Sequence, residues 1–120
     1  MTRRTALGLG AIQIQNDVIG SIAAMAAQEV PGVVGVWRGP WWKRLLGGGT
    51  GVSVESRDQE VRLVLRLIVE YGVSLSEVAG EVQERVREVV EKMTQLIPVD
   101  LQVNIQEVRP KHKQNSGGTG

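Results

Sequence analysis

The chain has 120 residues, 42% of them hydrophobic, and its 14 Lys and Arg against 13 Asp and Glu leave a net charge of +1. This length and composition fit one domain with a real core and exclude a disordered chain. The absence of Cys excludes disulfides and thiolate chemistry, and the single histidine, His112, excludes most metal sites and most His-based acid–base catalysis.

The first third of the chain predicts a helix between two strands. Residues 1–9 are expected to form a flexible N-terminal lead. Ala11 to Gln15 alternates apolar and polar side chains, as a strand with one wet face does. Asn16-Asp17 offers N-caps to a helix with apolar residues at helical spacing, which Pro31-Gly32 stops. Val33 to Trp37 predicts the next strand.

The remainder predicts a hairpin, a long helix and a last strand. Gly51 to Glu55 and Glu60 to Glu70 alternate as the two strands of a hairpin. Ser74 and Glu77 have capping-box spacing, so a long helix should begin there and end before Pro98. Val99 to Gln106 alternates again. The composition after Pro110 predicts a disordered basic tail at residues 110–120.

The order β-α-β-β-β-α-β predicts an α+β fold. Two apolar helix stripes and several half-buried strands fit a two-layer sandwich, with both helices packed on one face of a mixed sheet. We therefore expect a single domain at residues 10–109, which contains a Trp- and Gly-rich loop at residues 37–50.

The loop is the most unusual feature, because the three tryptophans of the chain lie at positions 37, 41 and 42 beside several cations. Indole rings next to basic side chains suit an anionic membrane interface or the hot spot of a partner. The alternative is that the indoles cover the edge of the core, which fits Trp37 at a strand end better. The contact candidates are Arg38, Trp41, Trp42, Lys43 and Arg44.

A second candidate surface is a row of carboxylates spaced 4, 3, 4 and 3 residues apart along the long helix. A solvated helix face explains such a row, and the sharper hypothesis is an acidic docking face for a basic partner. Its members are Glu77, Glu81, Glu84, Glu88 and Glu91. Glu29 is a separate anomaly, since it falls on the apolar stripe of the first helix. Either that helix has ended before Glu29, or an arginine pairs with it.

The near-neutral total hides a division of charge. The two termini and the loop carry +8, and the rest of the chain carries −7. This favours two complementary surfaces and self-association. The alternative is a soluble nucleic-acid-binding module that uses the basic Trp loop and tail. Against it stand the acidic body and the absence of a GXXG loop between helices or an aromatic strand pair.

Several ordered segments carry a resemblance to a known family. They are Gly10-Ala11-Ile12-Gln13-Ile14, Val18-Ile19, Ile22-Ala23, Ala27 to Val33, Gly51-Val52, Val69 to Val73, Glu81 to Val86, Met93-Thr94, Val99, Val103-Asn104-Ile105 and Val108. In this combination the chain resembles the alkaline shock protein (Asp/Gls-type) envelope stress response family over roughly residues 10–108. It departs from the family pattern at Gln95, where Gly is usual, and in the tryptophan-rich loop.

The resemblance implies a small cytoplasmic protein linked to cell-envelope homeostasis or alkaline stress. Members of that family self-associate, and some are held at the membrane by membrane-protein partners. The resemblance supplies no catalytic residue, metal ligand or cofactor site. The combined expectation is a non-enzymatic, homo-oligomeric interaction module, peripheral at the inner membrane face. Its partners would be itself and a membrane-anchored protein, with possible contact to anionic lipid.

Overall fold

A computed structural model of the chain describes residues 2–7, 10–40, 46 and 51–110. Eight elements follow one another along it. They are β1 (Thr2–Leu7), β2 (Gly10–Gln15), α1 (Asn16–Gln28), β3 (Val33–Val36), β4 (Val52–Arg57), β5 (Glu60–Glu70), α2 (Leu75–Thr94) and β6 (Ile97–Arg109). From β2 onward, the order confirms the predicted β-α-β-β-β-α-β and the α+β class.

The main sheet is built around β5. On one side β5 pairs antiparallel with both β3 and β4, and on the other side it pairs in parallel with β6. The sheet is therefore mixed, as predicted. Because β5 is the central strand of this sheet, apolar side chains occur on both of its faces. The hairpin predicted between β4 and β5 is confirmed, with Arg57 opposite Glu60.

The core lies between the helices and one face of this sheet. Its β5 residues are at most 1% exposed, and the helices contribute mainly alanine from α1 and valine from α2. Small alanine side chains let α1 approach its neighbours closely, while the valines of α2 supply volume. The core side chains of β5 are Val61, Leu63, Leu65, Leu67 and Val69.

The helix ends differ in how well local sequence predicts them. Ser74 is the N-cap of α2, and its hydroxyl accepts a hydrogen bond from the Glu77 amide at 3.4 Å, as the capping-box spacing predicts. Asn16, predicted as an N-cap, instead lies inside α1. Its side-chain amide donates to the Val54 carbonyl of β4 at 3.5 Å, and the Ser56 hydroxyl donates to its Oδ1 at 3.2 Å. The Asn16 side chain thus bonds to a distant strand instead of capping its own helix.

The N-terminal segment corrects one expectation. Within residues 1–9, predicted as a flexible lead, Thr2–Leu7 forms β1 and pairs antiparallel with β2. Main-chain hydrogen bonds to a neighbouring strand need no apolar alternation, so the sequence pattern did not indicate this strand. The two form a sheet separate from the main one. Of the tail predicted at residues 110–120, all but Pro110 lies outside the described residues.

Candidate interaction surfaces

The predicted loop leaves and re-enters the main sheet at neighbouring positions. Val36 lies opposite Leu67, and the Trp37 amide donates to the Arg66 carbonyl at 2.7 Å. Val52 then lies opposite Leu65. Leu67, Arg66 and Leu65 are consecutive, so β3 and β4 occupy one edge of β5 as a single strand that residues 38–51 interrupt.

Gly51 closes the base of this insertion. Its φ of +83° lies in the left-handed region that side chains rarely adopt. A Cβ at this position would lie 2.6 Å from Cγ1 of Val36 and 2.7 Å from the carbonyl oxygen of Trp37. Only glycine lets the returning chain pass this close to the departing one.

The predicted contact residues can be placed only in part. Arg38 is exposed beside the base of the loop, and Leu46 is 78% exposed. Trp41, Trp42, Lys43 and Arg44 lie outside the described residues. Trp37 is half-buried. It lies directly after β3 and is not among the described side chains that pack against the core, although its strand-end position suggested that it would be.

The five glutamates predicted as an acidic docking face are all exposed along α2. Arg85, which lies among them, binds Glu29 through Nη2 at 2.6 Å and Nε at 2.7 Å, and contacts Glu88 at 3.4 Å. Hydrogen bonding to the Glu29 carboxylate, together with its charge, raises the pKa of the Arg85 guanidinium above its ordinary value. Both explanations offered for Glu29 hold, since α1 ends at Gln28 and an arginine pairs with Glu29.

A shallow groove of about 370 Å³ runs along this pair, between the end of α1 and the side of α2. Four of its seven lining residues are glutamates, and Arg85 supplies the only positive charge in that lining. The groove therefore has the charge that a basic segment would complement. The lining residues are Glu29, Val30, Pro31, Glu81, Glu84, Arg85 and Glu88.

Sequence comparison identifies the family. The family of alkaline shock protein 23, whose function is cell envelope-related, matches residues 5–110 of this chain. The chain belongs to this family. Alkaline shock protein relatives in Bacillus subtilis include two uncharacterized proteins. YqhY is 33% identical over 81% of this chain and 76% of its own length, and YloU is 31% identical over 83% and 89%.

Solved structures extend the likeness to the fold. A variant of MamM-CTD matches with a TM-score of 0.51 and 18% sequence identity, over 78% of this chain and 98% of that one. A nickel form of another variant matches with a TM-score of 0.50 and 20% identity, over 76% and 96%. At this level of identity the comparison supports the α+β architecture of the alkaline shock protein domain and nothing about its ligands.

Two residues of the alkaline shock protein pattern have clear structural roles. Gly72 has a φ of +101° in the turn after β5, a left-handed conformation that glycine adopts without strain. Thr94 is 2% exposed, and its hydroxyl donates to the Val90 carbonyl at 2.6 Å and accepts from the Leu96 amide at 3.1 Å. The sequence pattern named Thr94, but gave no sign that its hydroxyl joins α2 to the start of β6.

Gln83 joins the second helix to the last strand. Its side-chain amide donates to the Leu101 carbonyl of β6 at 3.0 Å. Among the described residues no three His, Cys, Asp or Glu side chains are grouped to hold a metal. Within that same part of the chain, neither helix is both long and apolar enough to span a bilayer.

Proposed function

We propose that this protein is a non-enzymatic interaction module of the cell-envelope and alkaline stress response. It self-associates and is held at the cytoplasmic side of the membrane by a membrane-anchored protein partner. The envelope-related function of its family supports this role. The candidate contact residues are those of the loop, with anionic lipid as a second contact, and the acidic face of α2 is the complementary surface.

The observation that carries the proposal is the base of the loop. Trp37 and Val52 occupy neighbouring rungs on β5, and Gly51 packs against the main chain of Trp37. Residues 38–51 are therefore anchored at both ends on the most buried strand of the domain. A segment that contains two tryptophans and three cations, attached to a rigid support, suits contact with a partner surface.

The charge of the helices supports a second, basic contact. The α2 glutamates are exposed, and Glu81, Glu84 and Glu88 line the groove at the end of α1. Of the cations around them, Arg85 is held by Glu29 and Glu88. A basic segment of a partner or of a second copy would therefore meet a negative surface. Such complementarity raises association rates and weakens with salt.

The test compares membrane recovery of two variants. Trp41→Ala/Trp42→Ala removes both candidate indoles, whereas Tyr71→Ala removes an aromatic side chain that is 77% exposed outside the loop. Each purified protein is mixed with native membrane vesicles and, separately, with protein-free vesicles that contain anionic lipid. Flotation then measures the fraction bound.

We expect the double variant to lose most of its binding to native membranes, and Tyr71→Ala to keep it. Binding to native membranes that protease treatment abolishes identifies a protein partner, whereas equal binding to protein-free anionic vesicles assigns the contact to lipid. Full recovery of the double variant on both kinds of vesicle would contradict the role of the loop.

A further inference from the structure

The strand β6 is an edge of the main sheet. It is 13 residues long, and among the described residues it pairs with β5 alone. Its core-facing residues Leu101, Val103 and Ile105 are half-buried, whereas their rung partners on β5 are at most 1% exposed. The core of the domain is thus open on the β6 side.

The hydrogen bonds at the two ends of β6 establish which main-chain groups point away from β5. The Ile97 amide donates to the Gln59 carbonyl at 2.8 Å, and the Tyr71 amide donates to the Arg109 carbonyl at 2.7 Å. Ile97 lies opposite Glu60 and Arg109 opposite Glu70. Residues of β6 opposite even-numbered residues of β5 therefore turn their amide and carbonyl towards β5, and alternate residues turn theirs away.

By this alternation, the outward amides and carbonyls between the two register shifts belong to Leu101, Val103 and Ile105, which lie opposite Leu63, Leu65 and Leu67. The Gln83 contact agrees, since its side chain reaches the Leu101 carbonyl from α2 at 3.0 Å. A carbonyl oxygen can accept a second hydrogen bond, so this contact does not close the edge.

The middle of this edge, from Leu101 to Ile105, lacks the features that usually protect an exposed strand. Proteins commonly place charges, proline or a bulge on such a strand to prevent pairing with another chain. In β6 the register shifts lie at Val99 and Gln106, and the stretch from Leu101 to Ile105 between them contains no charge, proline or glycine. This regular, uncharged stretch therefore presents outward main-chain groups at every second residue.

We propose that this edge binds the same edge of a second copy of the chain, antiparallel, with Val103 opposite Val103 on the twofold axis. This inference rests on the proposed self-association and names its surface. Leu101 then faces Ile105 of the second copy, which continues the apolar core across the seam. On the open face Gln102 faces Asn104, so no like charges meet. About six main-chain hydrogen bonds would join the two sheets into one.

The test uses charge at the seam. Gln102→Glu/Asn104→Glu places like charges opposite each other across the twofold axis, and Gln102→Lys/Asn104→Glu alters the same positions with opposite charges. Val103→Pro removes an amide that points away from β5, so the β5–β6 ladder keeps its hydrogen bonds. Sedimentation velocity of the full chain over a range of concentrations gives the self-association constant, and thermal unfolding confirms that each variant is folded.

We expect the Gln102→Glu/Asn104→Glu and Val103→Pro variants to associate at least about tenfold more weakly than the unmodified chain, and the Gln102→Lys/Asn104→Glu variant to associate at least as well. If the Gln102→Glu/Asn104→Glu and Val103→Pro variants are folded and associate as strongly as the unmodified chain, the proposal is overturned. An unmodified chain that stays monomeric at every concentration would also overturn it.

Membrane recovery of the same variants separates this inference from the proposed function. If the β6 variants lose self-association but are still recovered with membranes through Trp41 and Trp42, the result supports the edge and leaves the membrane role unchanged. Loss of recovery in Trp41→Ala/Trp42→Ala with association unchanged supports the membrane role and places self-association outside the loop. A chain that associates through the seam but binds neither kind of vesicle would remove the membrane role alone.

Discussion

Arg85 holds Glu29 across the two helices, with Nη2 at 2.6 Å and Nε at 2.7 Å from the same carboxylate oxygen. The two residues are 56 positions apart in sequence, so the pair joins the end of α1 to the middle of α2. Both side chains are about half exposed, and an exposed ion pair contributes little to stability. Its structural effect is to link the two helices, and within the acidic groove the Arg85 and Glu29 charges offset each other.

Arg85→Ala should lower Tm slightly at low ionic strength, because Glu29 loses its partner at the negative end of α1. The difference from the unmodified chain should nearly vanish in about 1 M salt, where the screening length is about 3 Å. Arg87→Ala removes a nearby exposed arginine of α2 and serves as the control. Equal effects of the two variants at low salt would mean that net charge, not the pair, determines the change.

Gln95→Gly should stabilise the protein. Gln95 ends α2 with a φ of +62°, in the left-handed region, and its amide donates to the Glu91 carbonyl. A side chain in this conformation costs about 1 kcal/mol relative to glycine. The free energy of unfolding in urea should therefore rise by about 1 kcal/mol, while Gln95→Ala, which keeps the Cβ, should give no such gain.

Gly51→Ala should destabilise the base of the loop by about 2–3 kcal/mol, because a Cβ there meets the Trp37 carbonyl and its φ disfavours a side chain. Gly35→Ala is the matched control on the neighbouring strand, since a Cβ there meets nothing within 4 Å. Urea unfolding of both variants gives the comparison. A cost for Gly51→Ala no larger than that for Gly35→Ala would show that the two ends of the loop can separate without loss.

Thr94→Val should lower the free energy of unfolding by about 1–2 kcal/mol. The replacement keeps the shape but removes the hydroxyl, which leaves the buried Leu96 amide without its acceptor. Thr94→Ser keeps the hydroxyl and should cost less, apart from the lost methyl group. If serine proves the worse of the two, packing of the methyl group matters more than the hydrogen bond.

Local features of the fold were predictable and distant ones were not. Ser74 signals the start of α2 because an N-cap bonds an amide three residues away, within the same sequence window. Asn16 offers the same local signal, yet its side chain lies against β4, 38 residues on. A periodicity assigns residues to an element and a face, but does not say which strand will be the neighbour.

The candidate surfaces show the same division. The spacing of the α2 glutamates predicts their common face, and all five are exposed. The relation between β3 and β4 was hidden, because two short alternating segments separated by a loop resemble two independent strands. Only the pairing of Trp37 and Val52 with successive β5 residues shows that they share one edge. The open edge at β6 likewise depends on strand register, which the pattern of a single sequence does not show.

The interrupted edge strand makes the scaffold and the inserted segment separable. If residues 38–51 were excised and Trp37 joined directly to Val52, the pairing with β5 would continue from Arg66 to Leu65 without a change of register. Side-chain alternation would also be preserved, with Val36 and Val52 both on the core face. The same junction could accept inserts of other lengths, since loop closure depends only weakly on length. One sheet could thus carry many different contact segments, because only the residues between Trp37 and Val52 would need to change.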